Sequence, residues 1–186
     1  GMGKGDLNGV GLSTLYDTRD DVFNPHVGSY GSASLAFQGG VLGGDYDYTK
    51  LVLEGRHYIP ITERSTIALR AMYGASGDGS PASEYFYAGG TDTMRGYKDN
   101  AFFGTHLLLM NAEYRFPIAN IKMLSGAIFA DAGNAWFPGY STNKLYADAG
   151  VGLRIVFPTL GLGVIRIDYA FGQDGSRSSI GIGQSF

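Results

Sequence analysis

The sequence predicts an all-β fold, an antiparallel transmembrane β-barrel of roughly eight or nine strands, and three observations lead to it. Segment after segment alternates in a strict two-residue period, and no run has helical spacing. Several segments are about ten residues long, beyond the five or six usual in soluble sheets and equal to the ~9–11 of a tilted membrane-crossing strand. Of 186 residues, 30 are glycine, 13 tyrosine and 11 phenylalanine, and only 17% are charged, which suits strands and turns better than amphipathic helices. At this length a single domain over 1–186 is expected.

The first expected strand, Val10 to Asp17, ends on Tyr16 and runs into the acidic stretch YDTRDD. Tyr30 to Gln38 follows and leads into GGVLGG, Gly39 to Gly44, a flexible hairpin connection. Tyr46 to Ile59 carries Tyr58 at its end and turns through the short Pro60 to Arg64 into Thr66 to Gly74, with Tyr73 at its end. About thirty residues, Ala75 to Gly104, then separate this strand from the next. In Thr105 to Phe116, Leu108, Met110, Ala112, Tyr114 and Phe116 oppose Leu107, Leu109, Asn111, Glu113 and Arg115. A short connection, Pro117 to Met123, precedes Leu124 to Asp131. In Tyr146 to Phe157 one face is wholly apolar (Ala147, Ala149, Val151, Leu153, Ile155, Phe157), while the other holds Asp148, Gly150, Gly152, Arg154 and Val156. Val164 to Phe171 repeats this, with Ile165, Ile167, Tyr169 and Phe171 opposite Val164, Arg166, Asp168 and Ala170. The last strand, Ser179 to Phe186, places Ile180, Ile182 and Phe186 on one face.

Alternation alone also fits a soluble sandwich. Three features favour a barrel: Tyr and Phe gather at strand ends as in membrane-interface girdles, long connections alternate with tight ones, and the chain stops on a strand whose edge barrel closure would satisfy. An odd count of nine departs from the even numbers of bacterial barrels. A net charge of -3 with no basic stripe argues against nucleic acid as a partner. The absence of cysteine excludes disulfides and thiolate metal sites. No run reaches the ~18 apolar residues of a membrane-spanning helix, and GMGKGDLNG has no signal-peptide core. Gly1 before Met2 reads as a tag remnant ahead of a start methionine.

Five stretches together resemble the C-terminal barrel of the Omp85 superfamily, the bacterial surface antigen family. GGTDTMRGY, Gly89 to Tyr97, is similar to the loop-six signature whose Arg-Gly-aromatic tip folds back into the barrel, here Arg95, Gly96 and Tyr97 after Met94. FADAGNAW, Phe129 to Trp136, resembles the aromatic-x-Asp-x-Gly strand motif, and Asp148 to Phe171 the penultimate hairpin. GIGQSF resembles the terminal strand signal ending in Phe, with Ile180, Ile182 and Phe186 as its apolar positions and Gln184 where a bulkier residue is commoner. YDTRDDVFNPHVGSY resembles the strand and turn that precede this region.

The resemblance implies a bacterial outer-membrane location and a part in inserting outer-membrane proteins or secreting polypeptide. Its implied partners are outer-membrane lipid or lipopolysaccharide, a client polypeptide, and a second copy if two chains complete one barrel. Full members have about sixteen strands behind POTRA repeats, so this chain corresponds to roughly half a barrel: a C-terminal fragment, a small barrel closed on itself, or half of a dimer. It further implies that Arg95 meets acidic lumenal residues, which Glu113 and Asp131 match. Burial of an arginine demands such partners, and its planar fork favours carboxylates. A loop arginine read without the resemblance would be an exposed one.

Other constellations carry less. His26, His57 and His106 lack metal-ligand spacing, and no cofactor or metal is expected. YDTRDD with Asp45 and Asp47 lacks an EF-hand pattern and reads as solvated turns before calcium ligands. No G-x-S-x-G elbow or clustered Ser, His and acid occurs, so no enzymatic activity is expected. Trp136 is expected at a membrane interface or capping a loop. The alternative to assembly or secretion is a passive small pore, or an anchor barrel for an N-terminal domain.

Overall fold

The computed structural model describes residues 5–119, 121, 123–139, 144–157 and 163–186. Eleven strands form among them: β1 (Gly9–Asp17), β2 (Gly28–Gln38), β3 (Tyr48–Thr62), β4 (Ser65–Ser76), β5 (Phe86–Ala88), β6 (Phe102–Gly104), β7 (His106–Pro117), β8 (Leu124–Trp136), β9 (Tyr146–Phe157), β10 (Gly163–Gly172) and β11 (Gly175–Ile182). Nine make one sheet in the order β1-β2-β3-β4-β7-β8-β9-β10-β11, and β5 and β6 form a separate two-stranded ribbon. Every neighbour in the large sheet is antiparallel and is the next large-sheet strand along the chain. No helix among the described residues is long and apolar enough to cross a membrane.

The sheet curls until its two ends approach at one rim: Gln184, just beyond β11, donates from Nε2 to Asn24 Oδ1 in the β1–β2 turn at 2.7 Å. The tight β3–β4 connection, 63–64, and Ile121 between β7 and β8 lie at that rim, and the long segment between β4 and β7 lies at the other. Cross-strand register sets which residues face inward, because a slip of one position would exchange the faces. Asn111 stands opposite Asp131, Asp131 opposite Asp148, and Arg154 opposite Arg166, so one concave face collects the charged residues. The outward face is apolar and exposed, with Ile128, Val151, Ile167, Tyr169 and Phe171 among its members.

All nine expected strands are present, with shifted ends. β8 runs on to Trp136 instead of stopping at Asp131, and Trp136 lies 5.7 Å, centroid to centroid, from the His106 ring across the β7–β8 pair. The β5–β6 ribbon and short 3-10 turns at Gly40–Leu42 and Ala82–Glu84 have no counterpart in the period-two reading.

Three expectations need correction. The last strand is β11, Gly175–Ile182, and not 179–186. Gly183 takes φ +84, where glycine has no steric penalty, and the chain leaves the ladder there. Phe186 therefore does not share a face with Ile180 and Ile182: those two are 74% exposed, whereas Phe186 is 4% exposed and packs with Tyr58 and Ala68 inside the curl. Tyr58 is likewise lumenal, not part of an outer aromatic girdle, because its position opposite Ala68 in β4 puts it on the concave face. Finally, β1 and β11 end the sheet without pairing to each other, so the last strand is not satisfied by closure of this chain on itself.

Candidate functional site: a loop arginine in a buried charge network

The segment between β5 and β6 carries GGTDTMRGY, and its backbone explains how it reaches the lumen. Gly89 and Gly90 take φ +107 and +99, values a side chain would strain. Three local bonds then coil the tip: Gly89 N donates to Thr93 Oγ1 at 2.9 Å, Gly90 N to Met94 O at 3.1 Å and Tyr97 N to Met94 O at 3.1 Å. Asn111 on β7 donates from Nδ2 to Thr93 O at 2.7 Å, fastening the tip to the wall. Met94 and Tyr97 join Phe86, Leu107, Leu109 and Ala135 in a buried apolar cluster, so the loop supplies the filling of the upper lumen.

Arg95, 2% exposed, is bonded on every side of its guanidinium. Nε donates to Asp131 Oδ2 and Nη2 to Asp131 Oδ1, both at 2.9 Å, a two-point fork. Nη1 donates to Glu113 Oε2 at 2.5 Å and lies 3.7 Å from Asp168 Oδ2. The Arg95 backbone N–H adds a bond to Asp131 Oδ2 at 3.2 Å, and Cζ stands 3.3 Å from the centroid of the Phe129 ring, a cation–π contact in a desolvated setting. Asp131 also accepts from Asn111 Nδ2 at 2.8 Å.

Gly96 permits this approach by size and not by conformation. A Cβ there would stand 2.6 Å from Asp148 Cβ and 2.8 Å from Gly172 N. Tyr97 packs edge-on against Phe102 and donates its hydroxyl to Ala147 O at 3.0 Å.

Thus the structure brings Arg95, Glu113 and Asp131 together, with Gly96 and Tyr97 beside them; Ile180 and Ile182 stand apart on the outer face, and Phe186 fills the lower lumen. Several partners went unnamed at the sequence level. Arg154 bridges Glu113 (Nη2 to Oε2, 2.8 Å) and Asp168 (Nη1 to Oδ1, 2.6 Å). Arg115 donates from Nε to Glu113 Oε1 at 2.9 Å and from Nη2 to Phe186 O at 3.2 Å. Arg166 pairs with Asp92 and donates to Thr91 O at 3.1 Å, and Arg70 donates to Asp92 O at 3.0 Å, so two further strands grip the loop. The signal for Arg115, Arg154, Arg166 and Asp168 was the alternation itself, which puts them on the charged face of their strands; Asp92, in the loop, had none.

Among the described residues the buried charges are four arginines (95, 115, 154, 166) and four carboxylates (113, 131, 148, 168). Seven of the eight are in ion pairs, as a low-dielectric lumen demands, and Asp148 is in none. Chemically the arrangement holds a peptide segment; it places no nucleophile beside a base. The three histidines are separate: His57 shares a hydrogen with Ser29 at 2.8 Å, His26 bonds Thr66, and His106 lies near Thr105. The acidic turn residues have local partners: Asp17 pairs with Arg19 at 2.7 Å, while Asp20 and Asp21 accept backbone amides.

Comparison with known proteins agrees with this architecture. The model of the Omp85 superfamily domain matches residues 1–186. An outer membrane protein assembly factor BamA from Nitratidesulfovibrio vulgaris strain Hildenborough is 28% identical over an alignment 185 positions long that takes in 88% of this chain and 23% of that protein. The crystal structure of BamA from Haemophilus ducreyi lacking POTRA domains 1–3 superposes with a TM-score of 0.77 at 17% identity, covering 92% of this chain and 40% of that one. The chain thus spans well under half the length of either protein.

Proposed function

The chain belongs to the Omp85 superfamily of bacterial outer-membrane β-barrel proteins, and from that premise we propose that it is the barrel segment through which an assembly or translocation factor handles its client polypeptide. The client is an outer-membrane protein being inserted or a polypeptide being secreted, and the segment acts without catalytic chemistry. The apolar outer face meets outer-membrane lipid or lipopolysaccharide. Strands outside this chain, from the remainder of a longer protein or from a second copy, lie against the free edges of β1 and β11. A client strand joining such an edge gains main-chain hydrogen bonds, as in β-augmentation.

The observation that carries the reading is the Arg95 tip, held by Glu113 and Asp131 at the centre of the lumen. A passive pore fits poorly, because the loop fills the channel such a pore would need.

The test is reconstitution of the full-length protein in lipid vesicles, with the folding rate of an outer-membrane β-barrel client as the readout. The native protein is expected to accelerate client folding, and Arg95→Ala to lose most of that acceleration while retaining its strand circular dichroism. Absence of acceleration by the native protein in folding and secretion assays alike would overturn the proposal.

A further inference from the structure

At the tight-turn rim, below the charge network, lies a second polar site. A cavity of about 60 Å³ opens between the β1–β2 turn, the β3–β4 turn and the residues after β11, lined by Asn24, His26, Arg64, Arg115, Arg154 and Gln184 among others. One buried water needs at least ~10–15 Å³ by the same measure, so the space takes a few waters or one compact polyatomic ion. No carboxylate lines it.

Two of its arginines are incompletely satisfied. Arg115 and Arg154 are 5% and 1% exposed, and Nη1 of the first and Nε of the second are buried without a protein partner. Both lean on Glu113, which also serves Arg95; Arg95 and Arg154 have Asp131 and Asp168 besides, whereas Glu113 is the carboxylate partner of Arg115. Arg64 adds a third cationic lining residue, whose guanidinium has among the described residues only a 3.5 Å contact from Nη2 to Ile121 O. The acidic residues of the neighbouring turn, Asp20 and Asp21, are turned to backbone amides of that turn. Gln184 Oε1, by contrast, is a buried acceptor that lacks a donor.

We propose that this cavity binds a phosphate-class oxyanion, either free inorganic phosphate or a terminal phosphate monoester, held by Arg64, Arg115 and Arg154. Guanidinium forks match phosphate oxygens in two-point bonds. A hydrogen phosphate also carries an O–H for an acceptor such as Gln184 Oε1, which a carboxylate cannot supply. Because the lining joins the turn at Asn24 and His26 to the segment at Gln184, the bound anion fastens the first hairpin to the end of the sheet. The site stands independently of the transport reading.

The test is titration of the chain in a phosphate-free detergent with inorganic phosphate at constant ionic strength, followed by phosphorus NMR and by the thermal unfolding midpoint. Saturable binding and a raised midpoint are expected, since a ligand of the native state stabilises it by mass action. Ser125→Asp, which sets a carboxylate into the lining, should weaken binding at least tenfold, and Arg64→Ser several-fold. Neither residue touches Arg95, so protection of Tyr97 from chymotrypsin reports that each variant is folded. Competition by glycerol 3-phosphate assigns the site to terminal monoesters as well; failure to compete restricts it to the free ion. No saturable binding, as for a cavity that holds only water, or binding unchanged in Ser125→Asp, overturns the proposal.

Discussion

At the residue scale, the centre of the molecule is an arginine whose neighbours leave its guanidinium no freedom. Two-point bonding to Asp131 and a 2.5 Å bond to Glu113 mean that removing one partner strands a buried charge, which costs ~3–5 kcal/mol. Asp131→Asn is therefore expected to release the tip and expose Tyr97 to chymotrypsin, with strand circular dichroism unchanged; continued protection of Tyr97 would show that the apolar cluster alone holds the loop. Gly96 makes a sharper test, because its φ is not in the left-handed region and only space is at stake. Gly96→Ala should displace the tip as fully as Asp131→Asn, since Asp148 Cβ and the Gly172 backbone, 2.6 and 2.8 Å from the added atom, cannot both yield. The trio Arg95, Glu113 and Asp131 was legible through the loop-six resemblance, which implied both the arginine and its acidic partners, with alternation putting Glu113 on the charged face. Arg154 and Asp168 were placed on the correct face, yet nothing in a linear pattern says which of several lumenal charges lie within 3 Å of one another. That depends on strand register and on the curl of the sheet.

Elements were easier to read in their middles than at their ends. Period-two alternation located all nine long strands, because a lipid-facing side and a lumenal side impose it continuously. The β5–β6 ribbon is three residues per strand, too short for a period to show, and its Phe86 and Ala88 pack with Leu107 and Leu109 of β7 and Ala135 of β8. The end of β11 misled for a different reason: alternation continues through GIGQSF, but Gly183 breaks the extended path and sends Phe186 inward. Phe186 is consequently a core residue of the lower lumen, sharing its pocket with Tyr58 and Ala68. Phe186→Ala should destabilise the fold by ~3–5 kcal/mol, as other buried Phe truncations do. It is to be read as a lowered midpoint of heat-modifiable migration in gels, whereas Ile182→Ala on the 74%-exposed outer face should leave that midpoint nearly unchanged in detergent. Equal effects of the two would place Phe186 on the outer face after all.

For the whole molecule, the decisive feature is that a curled sheet of nine strands holds a balanced lumen yet leaves both edges open. Three ways of satisfying those edges make different predictions, and the absence of native cysteine makes them separable. Ser13 and Ser34 are directly opposed in the β1–β2 ladder, so the pair Ser13→Cys with Ser34→Cys should oxidise to an intramolecular disulfide in every case. Ser13→Cys with Ser179→Cys spans the two edge strands instead. A chain closed on itself would form that bond within one molecule, and a two-copy barrel would form it between molecules and double the mass in detergent. Since β1 and β11 do not pair within this chain, the intramolecular product is not expected from the isolated chain, and an intermolecular product would assign the edges to a second copy. If neither product forms, the edges fall to the remainder of a longer protein, and restoring its strands should protect the β1 amides from hydrogen exchange while leaving the Arg95 network as it is.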